Sequence, residues 1–425
     1  MLASLSVVLR RPVTTVLLIA LIVNVSILSI LGPGRPVESD TVFYVDIARN
    51  VVEGRGYVNL RSPWPEAPTT DRLPGWTGMI AGALLLNGGK LSTPLLVRGL
   101  SGLLNVLAAS LIAALALRVT RDPAVAVLAG LGYVFYLPAL YLTDNALSEI
   151  PFVCLLCGGA LLLLRHQWLP ASLLLGAGCL FRGNMLFLGP ALAIALFVWF
   201  RLRLATVAAC VLAFAAAPGA WMIRNALVAP GCAGVLTSAS GEVVRGALNP
   251  VVMYGWENWG YWVFPNEIPG EPKLREVAAT RNQCETAKFY QARAVEFAKE
   301  NWTGMPLLMA GRIARAYLPF TTHPTVASVL GFGVRGVLLV LVLATWKRWR
   351  QAIAGDYQTL LAALFGVSLF TTLALVAGAR HSFWLETMVI PCAATGLLSW
   401  WRARSAADGQ AAKSAEVVTD SRAFR

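Results

Sequence analysis

Apolar runs return along this chain often enough to exclude most folds: "PVTTVLLIALIVNVSILSIL", "LLNVLAASLIAALALRV", "FVCLLCGGALLLL" and "GVLLVLVLATW" carry almost no charge. Several approach the ~20 residues that take a helix across a hydrocarbon layer, and none has the ~10-residue alternation of a transmembrane barrel strand. Of the 425 residues, 57% are hydrophobic and 13% charged, with a mean hydropathy of +0.64, more apolar material than a soluble core of this size needs. The pattern predicts an all-α polytopic membrane protein.

An excess of 35 Lys and Arg over 22 Asp and Glu leaves a net charge of +13. On one soluble face such an excess would suit nucleic acid. Here it sits in short clusters between apolar runs, so no nucleic-acid partner is expected. Arg10 with Arg11, Arg118 with Arg121, Arg165, Arg201 with Arg203, "KRWR" at 347–350 and "WRAR" at 401–404 fall at alternate ends of the runs, as the positive-inside rule asks of cytoplasmic loops. This predicts a cytoplasmic N-terminus, a first anchor that is retained, and ten spans near 13–31, 94–117, 123–142, 150–164, 169–183, 186–200, 204–222, 326–346, 358–378 and 382–400. Residues 1–404 then form one transmembrane unit with external segments 32–93 and 224–325, and 405–425 is a polar cytoplasmic tail expected to be disordered. Within the external segments, 73–86 reads as a helix against the outer leaflet and 286–302 as an amphipathic surface helix.

Candidate chemistry lies in and beside those segments. "VESDTVFYVDIARNVVEGRGYV" puts Glu38, Asp40, Asp46 and Glu53 just behind the first span, and Asp40 falls at the start of a helix whose buried face includes Tyr44. Capping is the plain role for an aspartate there, with Ser39 as a competitor. A second acid pair, Asp144 and Glu149 in "YLTDNALSEIP", reaches the same side, and ionisable groups at membrane depth usually face a bundle interior or a cavity. Arg182, Arg224 and Arg380 end apolar runs on the outside, against the positive-inside trend. Any one of them could snorkel; three together suit a phosphate or a charged lipid headgroup. His323 and His381 are external as well, yet no HExxH spacing marks a metal site, so a divalent ion is an option rather than a requirement and no cofactor is indicated. Nucleotide-binding loops and a GxSxG elbow are missing from the sequence. Cys154 and Cys157 read as packing residues within a span, whereas Cys232 and Cys284 share the second external segment, where an oxidising compartment permits a disulfide.

The order and sidedness of these stretches resemble the GT-C membrane glycosyltransferases that use polyprenyl-phosphate sugars, especially the branch of bacterial protein O-mannosyltransferases and lipid A aminoarabinose transferases. The likeness is carried by "SDTVFYVDIARNVVEGRGY", "DRLPGWTGMIAGALL" with Arg72, "LTDNALSEIPF", "CLFRGNMLFLGPAL", "APGAWMIRNALVAPGC" with Arg224 and Asn225, and "AVEFAKENWTGMPLLMAGRIARAYLPF". One departure is that Asp40 is followed by Thr41 rather than by a second acid, leaving Glu38 as its acidic neighbour.

The resemblance implies a GT-C-like bundle in a bacterial cytoplasmic (inner) membrane with its site on the outer face. It implies inverting transfer of a sugar from a polyprenyl-phosphate donor to a lipid, glycan or protein hydroxyl acceptor. Asp40 would be the general base, and Glu149 a further catalytic carboxylate that orients the acceptor or binds a divalent ion. Arg380, Arg224 and Arg182 would bind the phosphate, assisted by His381, Tyr44, Arg72 and Asn225. Asp144 and Glu38 would be the acceptor or metal candidates. Trp256, Trp259, Tyr261 and Trp262 would stack on sugars or anchor in the membrane interface. The rival classes are a secondary transporter or lipid flippase, against which the lack of an internal repeat counts, and a noncatalytic scaffold.

Overall fold

Pro12 opens the first helix and Gly32, at φ +90°, closes it, so that α1 spans Pro12–Leu31. Proline at a helix start gives up an N–H that has no helical partner there, and glycine tolerates the positive φ at the exit. The computed structural model describes residues 9–32, 34–37, 39–318, 326–375 and 379–423. Apart from one bridge between Val58 and Pro68, the described residues hold no β structure.

The first external segment carries α2 (Thr41–Val52) and α3 (Pro74–Asn87). Then come α4 (Thr93–Thr120), α5 (Pro123–Val134), α6 (Leu137–Asp144), α7 (Glu149–Leu163) and α8 (Trp168–Gly178). A 3-10 turn, Gly183–Phe187, leads into α9 (Leu188–Ile194), a π turn at Ala195–Trp199 and α10 (Leu204–Val228). The second external segment folds as α11 (Ala239–Ala247), α12 (Pro250–Tyr254), α13 (Leu274–Ala278), α14 (Gln283–Glu300) and α15 (Met305–Tyr317). The chain ends with α16 (Val326–Ala344), α17 (Trp346–Ala352), α18 (Gly355–Ala374) and α19 (Ala379–Ala423).

Among the described residues four helices, α1, α4, α10 and α18, are long and apolar enough to cross a membrane, or up to six if each of two bent pairs is one span. The span expected at 123–142 is one of the bent pairs: α5 and α6 meet at 50°. Pro138, in the first turn of α6, cannot donate backward, and helical continuity breaks just ahead of it. The helices at 149–163, 168–178 and 183–199 are shorter than a full crossing. At the other end, the tail expected to be disordered from 405 continues as helix to Ala423. "SAADGQAAKSAE" is polar, but its alanines and long polar side chains are strong helix formers, a propensity that a reading by polarity alone overlooks.

Packing between apolar helices gains little from the hydrophobic effect when lipid surrounds them, so close approach through small residues matters. Gly176 shows this: a β-carbon there would overlap the carbonyl of Phe214, so α8 and α10 touch backbone to backbone. The main core runs through α1, α4, α5, α7, α8, α10, α18 and α19, with Ile112, Tyr133, Phe152, Tyr357 and Trp384 almost fully enclosed. A second cluster, centred on Tyr44, Trp76, Ile80 and Val97, fastens α2 and α3 to α4. Within 224–318, Val252, Met253, Val263, Ile268 and Leu308 form a small core. The disulfide Cys232–Cys284, with its Cα atoms 5.4 Å apart, joins the end of the α10 exit loop to α14.

Candidate active site

Ser39 adopts a φ of +57°, a left-handed conformation that a β-carbon resists, and turns the chain into α2. Asp40 then takes the N-cap position but caps no backbone N–H. Its Oδ2 instead accepts a 2.8 Å bond from Nη1 of Arg380, at the start of α19. Thr41 secures this turn, its hydroxyl donating to the carbonyls of Asn145 (2.6 Å) and Ala146 (3.1 Å). From α3, Trp76 Nε1 donates to the same Ala146 carbonyl at 2.7 Å, and the Gly75 N–H reaches the Leu180 carbonyl at 2.9 Å. The first external segment therefore holds both the turn before Glu149 and the turn before Arg182.

Glu149, the first residue of α7, has a side chain only 3% exposed. Its Oε1 accepts from Arg182 Nη1 at 2.5 Å and from Arg380 Nε. Arg182 Nη2 lies 2.9 Å from His381 Nδ1. A guanidinium can only donate, so Nδ1 accepts and the ring proton sits on Nε2. The result is a continuous chain, Asp40 to Arg380 to Glu149 to Arg182 to His381, assembled from four distant parts of the sequence. It is graded in exposure: the Glu149–Arg182 end is enclosed, while Asp40 and Arg380 are 37% and 31% exposed. Carboxylates suit buried guanidiniums, because desolvation is costly and pairing offsets it. Glu149 is thus placed to hold the two arginines, and the Asp40–Arg380 end of the chain is the part open to solvent.

Tyr44 and Arg72 flank the open end. Tyr44 is buried within electrostatic reach of Arg72, Asp40 and Arg380. The Arg72 guanidinium stands 4.8 Å over the Phe43 ring, and its Nε is buried without a partner. Burial opposes the Arg72 charge, but Asp71, Tyr44, Asp40 and Glu242 outweigh it. Counting Arg72, Arg182 and Arg380 against Asp40, Glu149 and Asp71 sets three guanidiniums against three carboxylates at this site.

Other expected residues lie elsewhere or do other work. Arg224 donates to the Thr69 carbonyl at 2.7 Å and to Asn225 Oδ1 at 3.1 Å, and lies over the rings of Trp221 (4.7 Å) and Tyr57 (5.2 Å). It joins the two external segments rather than the Asp40 chain. Asn225 is buried and donates to the carbonyls of Val235 and Leu236. Asp144, expected as an acceptor or metal contact, is instead held by Arg35 at 2.9 Å and Arg98 at 3.5 Å. It sits at the end of α6, on the far side of the turn from Glu149, so four residues separate two acids with different partners. Glu38 and His323 lie outside the described residues. Among the described residues no three His, Cys, Asp or Glu side chains converge as metal ligands.

Two features carry no local motif. Glu242, on α11, approaches Arg72 and Asp71 from the second external segment; burial pushes its carboxyl up to about 7, with Arg72 pulling against burial and Asp71 adding to it. Below His381 on α19, Glu386 accepts from Arg335 Nε at 2.6 Å and from the Tyr136 hydroxyl at 2.6 Å, and Arg335 also donates to Ser382 Oγ at 2.8 Å. An ionisable residue inside the apolar 382–400 run was the available signal for that second cluster. Comparison of the chain with protein-family models gave no match, and neither did comparison with curated proteins.

Proposed function

We propose that this protein is an inverting glycosyltransferase of GT-C type, a bundle of about ten membrane helices that moves a sugar from a polyprenyl-phosphate donor to a hydroxyl acceptor at the outer face of a bacterial cytoplasmic membrane. The observation that carries the reading is the partly open Asp40 carboxylate on Arg380, backed by the enclosed Glu149–Arg182–His381 chain. A base and a cluster of guanidiniums stand side by side, as phosphate departure from a sugar requires. The Cys232–Cys284 disulfide supports an oxidising, non-cytoplasmic setting for the second external segment.

In the proposed step, Asp40 Oδ1, which has no hydrogen-bond partner among the described residues, takes the proton of the acceptor hydroxyl. The acceptor oxygen forms a bond to the anomeric carbon from the face opposite the phosphate. The carbon–oxygen bond to phosphate breaks, and its electron pair leaves on the phosphate oxygen. Arg380 is shared between base and leaving group: as phosphate charge develops, the guanidinium moves toward it and releases Asp40 to act as a base. Arg182 and Arg72 add charge around it, and Glu149 fixes the geometry. Asp40→Asn should reduce transfer from a polyprenyl-phosphate sugar by ~10²–10⁴-fold, the usual contribution of a general base, with unfolding in detergent unchanged. Wild-type transfer rates in that variant would remove Asp40 from the mechanism; substrate movement across proteoliposomes without covalent transfer would replace the reaction with transport.

A further inference from the structure

A groove of about 420 Å³ opens between α1, α3, α4 and α6. Leu21, Val25 and Leu28 line it from α1, and Leu95, Leu103 and Val106 from α4, both of them helices long and apolar enough to cross a membrane. Gly99 and Gly102 lie on the same wall. A β-carbon at Gly99 would meet no atom within 4 Å, and one at Gly102 would meet only Asn24, at 3.7 Å. Glycine inside a helix is less stable than alanine, and no crowding from this chain requires it at these positions. The space is left open where an alkyl chain would need it.

At one end the lining turns polar, with Arg98 and Asp144. The Arg98 guanidinium is occupied by the carbonyls of Arg35, Pro36 and Asp144. Arg35 is different: its side chain is 40% exposed and it uses Nη1 alone, on Asp144. Two guanidiniums against one carboxylate leave a net positive end with donors to spare. Asp40 is nearby, for Thr41 bonds to the carbonyl of Asn145, the residue after Asp144. The four residues from Pro36 to Asp40 span ~14 Å at most.

We propose that this groove seats one alkyl chain of an anionic membrane lipid, with the headgroup phosphate held by Arg35 beside the Asp40 turn. Leucine walls offer no hydrogen-bond partners to a peptide backbone, whereas a lipid chain needs none, and a phosphate matches the unused guanidinium donors. The site stands independently of the transfer reaction, and no transfer assay enters its test.

The full chain, purified in detergent, is titrated with phosphatidylglycerol or phosphatidylcholine of equal chain length, and bound lipid is counted by native mass spectrometry. Both lipids carry the phosphate, but the choline ammonium cancels its charge beside the net positive end, so phosphatidylglycerol should bind about tenfold more tightly. Gly99→Leu should lower that binding by about tenfold or more by filling the groove, with an unfolding midpoint equal to or above wild type because leucine is the better helix former. Gly99→Ala should keep binding, and Arg35→Gln should erase the preference between the two lipids. Unchanged phosphatidylglycerol binding in Gly99→Leu, or an intact preference in Arg35→Gln, would overturn the proposal. If Gly99→Leu does not fold, Gly102→Leu is read in the same way.

Discussion

Glu149→Gln separates the enclosed part of the charge chain from the part open to solvent. Wild-type Glu149 neutralises Arg182, whose side chain is 8% exposed, and helps Arg380, whose side chain is 31% exposed. Removing one partner of a buried ion pair costs ~3–5 kcal/mol, because a desolvated charge is left behind. Glutamine still offers one carbonyl oxygen, so the Arg182 contribution belongs at the lower end, ~3 kcal/mol. Arg380 retains Asp40 and partial access to water, and adds at most ~1 kcal/mol. The expected loss is therefore ~3–4 kcal/mol, against ~0–1 kcal/mol for Asp40→Asn at the open end. Unfolding in mixed micelles, followed by tryptophan fluorescence, measures both. A double-mutant cycle with Arg182→Met isolates the pair: without the buried guanidinium, Glu149→Gln should become much cheaper, giving a coupling of at least ~2 kcal/mol. A loss under ~1 kcal/mol, or a cycle additive within ~0.5 kcal/mol, would refute the buried-pair account.

Glu242 makes a pH prediction. Its folded value is raised from 4.5 to about 7, so the folded state binds the proton more tightly than the unfolded state, and stability falls as pH rises through that window. At full weight the shift amounts to ~3 kcal/mol, discounted to ~1–2 kcal/mol for partial exposure; Glu242→Gln should flatten the stability profile between pH 4.5 and 7, and a slope equal to wild type would reject the assignment. Replacing Cys232 and Cys284 by serine opens a link 52 residues long, worth ~4 kcal/mol in the chain-entropy account. Hydrogen exchange should then rise around 229–236 and 283–287, and unchanged protection there would count against the bridge as a brace. Arg312 is 1% exposed and donates to the carbonyls of Ala247 and Leu373, at the C-terminal ends of α11 and α18. A cation suits both helix ends, so Arg312→Met should destabilise by ~2–4 kcal/mol through two orphaned carbonyls, and Arg312→Lys should recover only part, since an ammonium lacks the fork that spans both. Equal stability of Arg312→Lys and wild type would show that charge alone suffices.

Local sequence carried the elements well where it had a strong period or a clear end signal. The apolar runs, the proline and glycine at the ends of α1, and the helices expected near 73–86 and 286–302 follow from backbone chemistry within a few residues. It misjudged α5–α6, where one proline outweighs a continuous apolar pattern, and the tail, where alanine propensity outweighs polarity. For the site, charge in an apolar setting was the useful signal, and it singled out Asp40, Glu149, Arg182 and Arg380. The same signal named Asp144 and Arg224, which the fold pairs outside the Asp40 chain, and it did not point to Glu242 or Arg335.

A carboxylate or guanidinium near a membrane announces in the sequence that it must be paired, because the cost of leaving it bare depends on its own chemistry and surroundings. Which partner it takes is a matter of three-dimensional distance: Asp40 and Arg380 are 340 residues apart along the chain and 2.8 Å apart in space. Asp144 and Glu149 have the same chemistry and nearly the same position in the sequence. The turn between them sends one to Arg35 and Arg98 and the other to Arg182 and Arg380. The need for charge pairing is thus local, while the choice of pair belongs to the packing of α2, α7 and α19 around that turn.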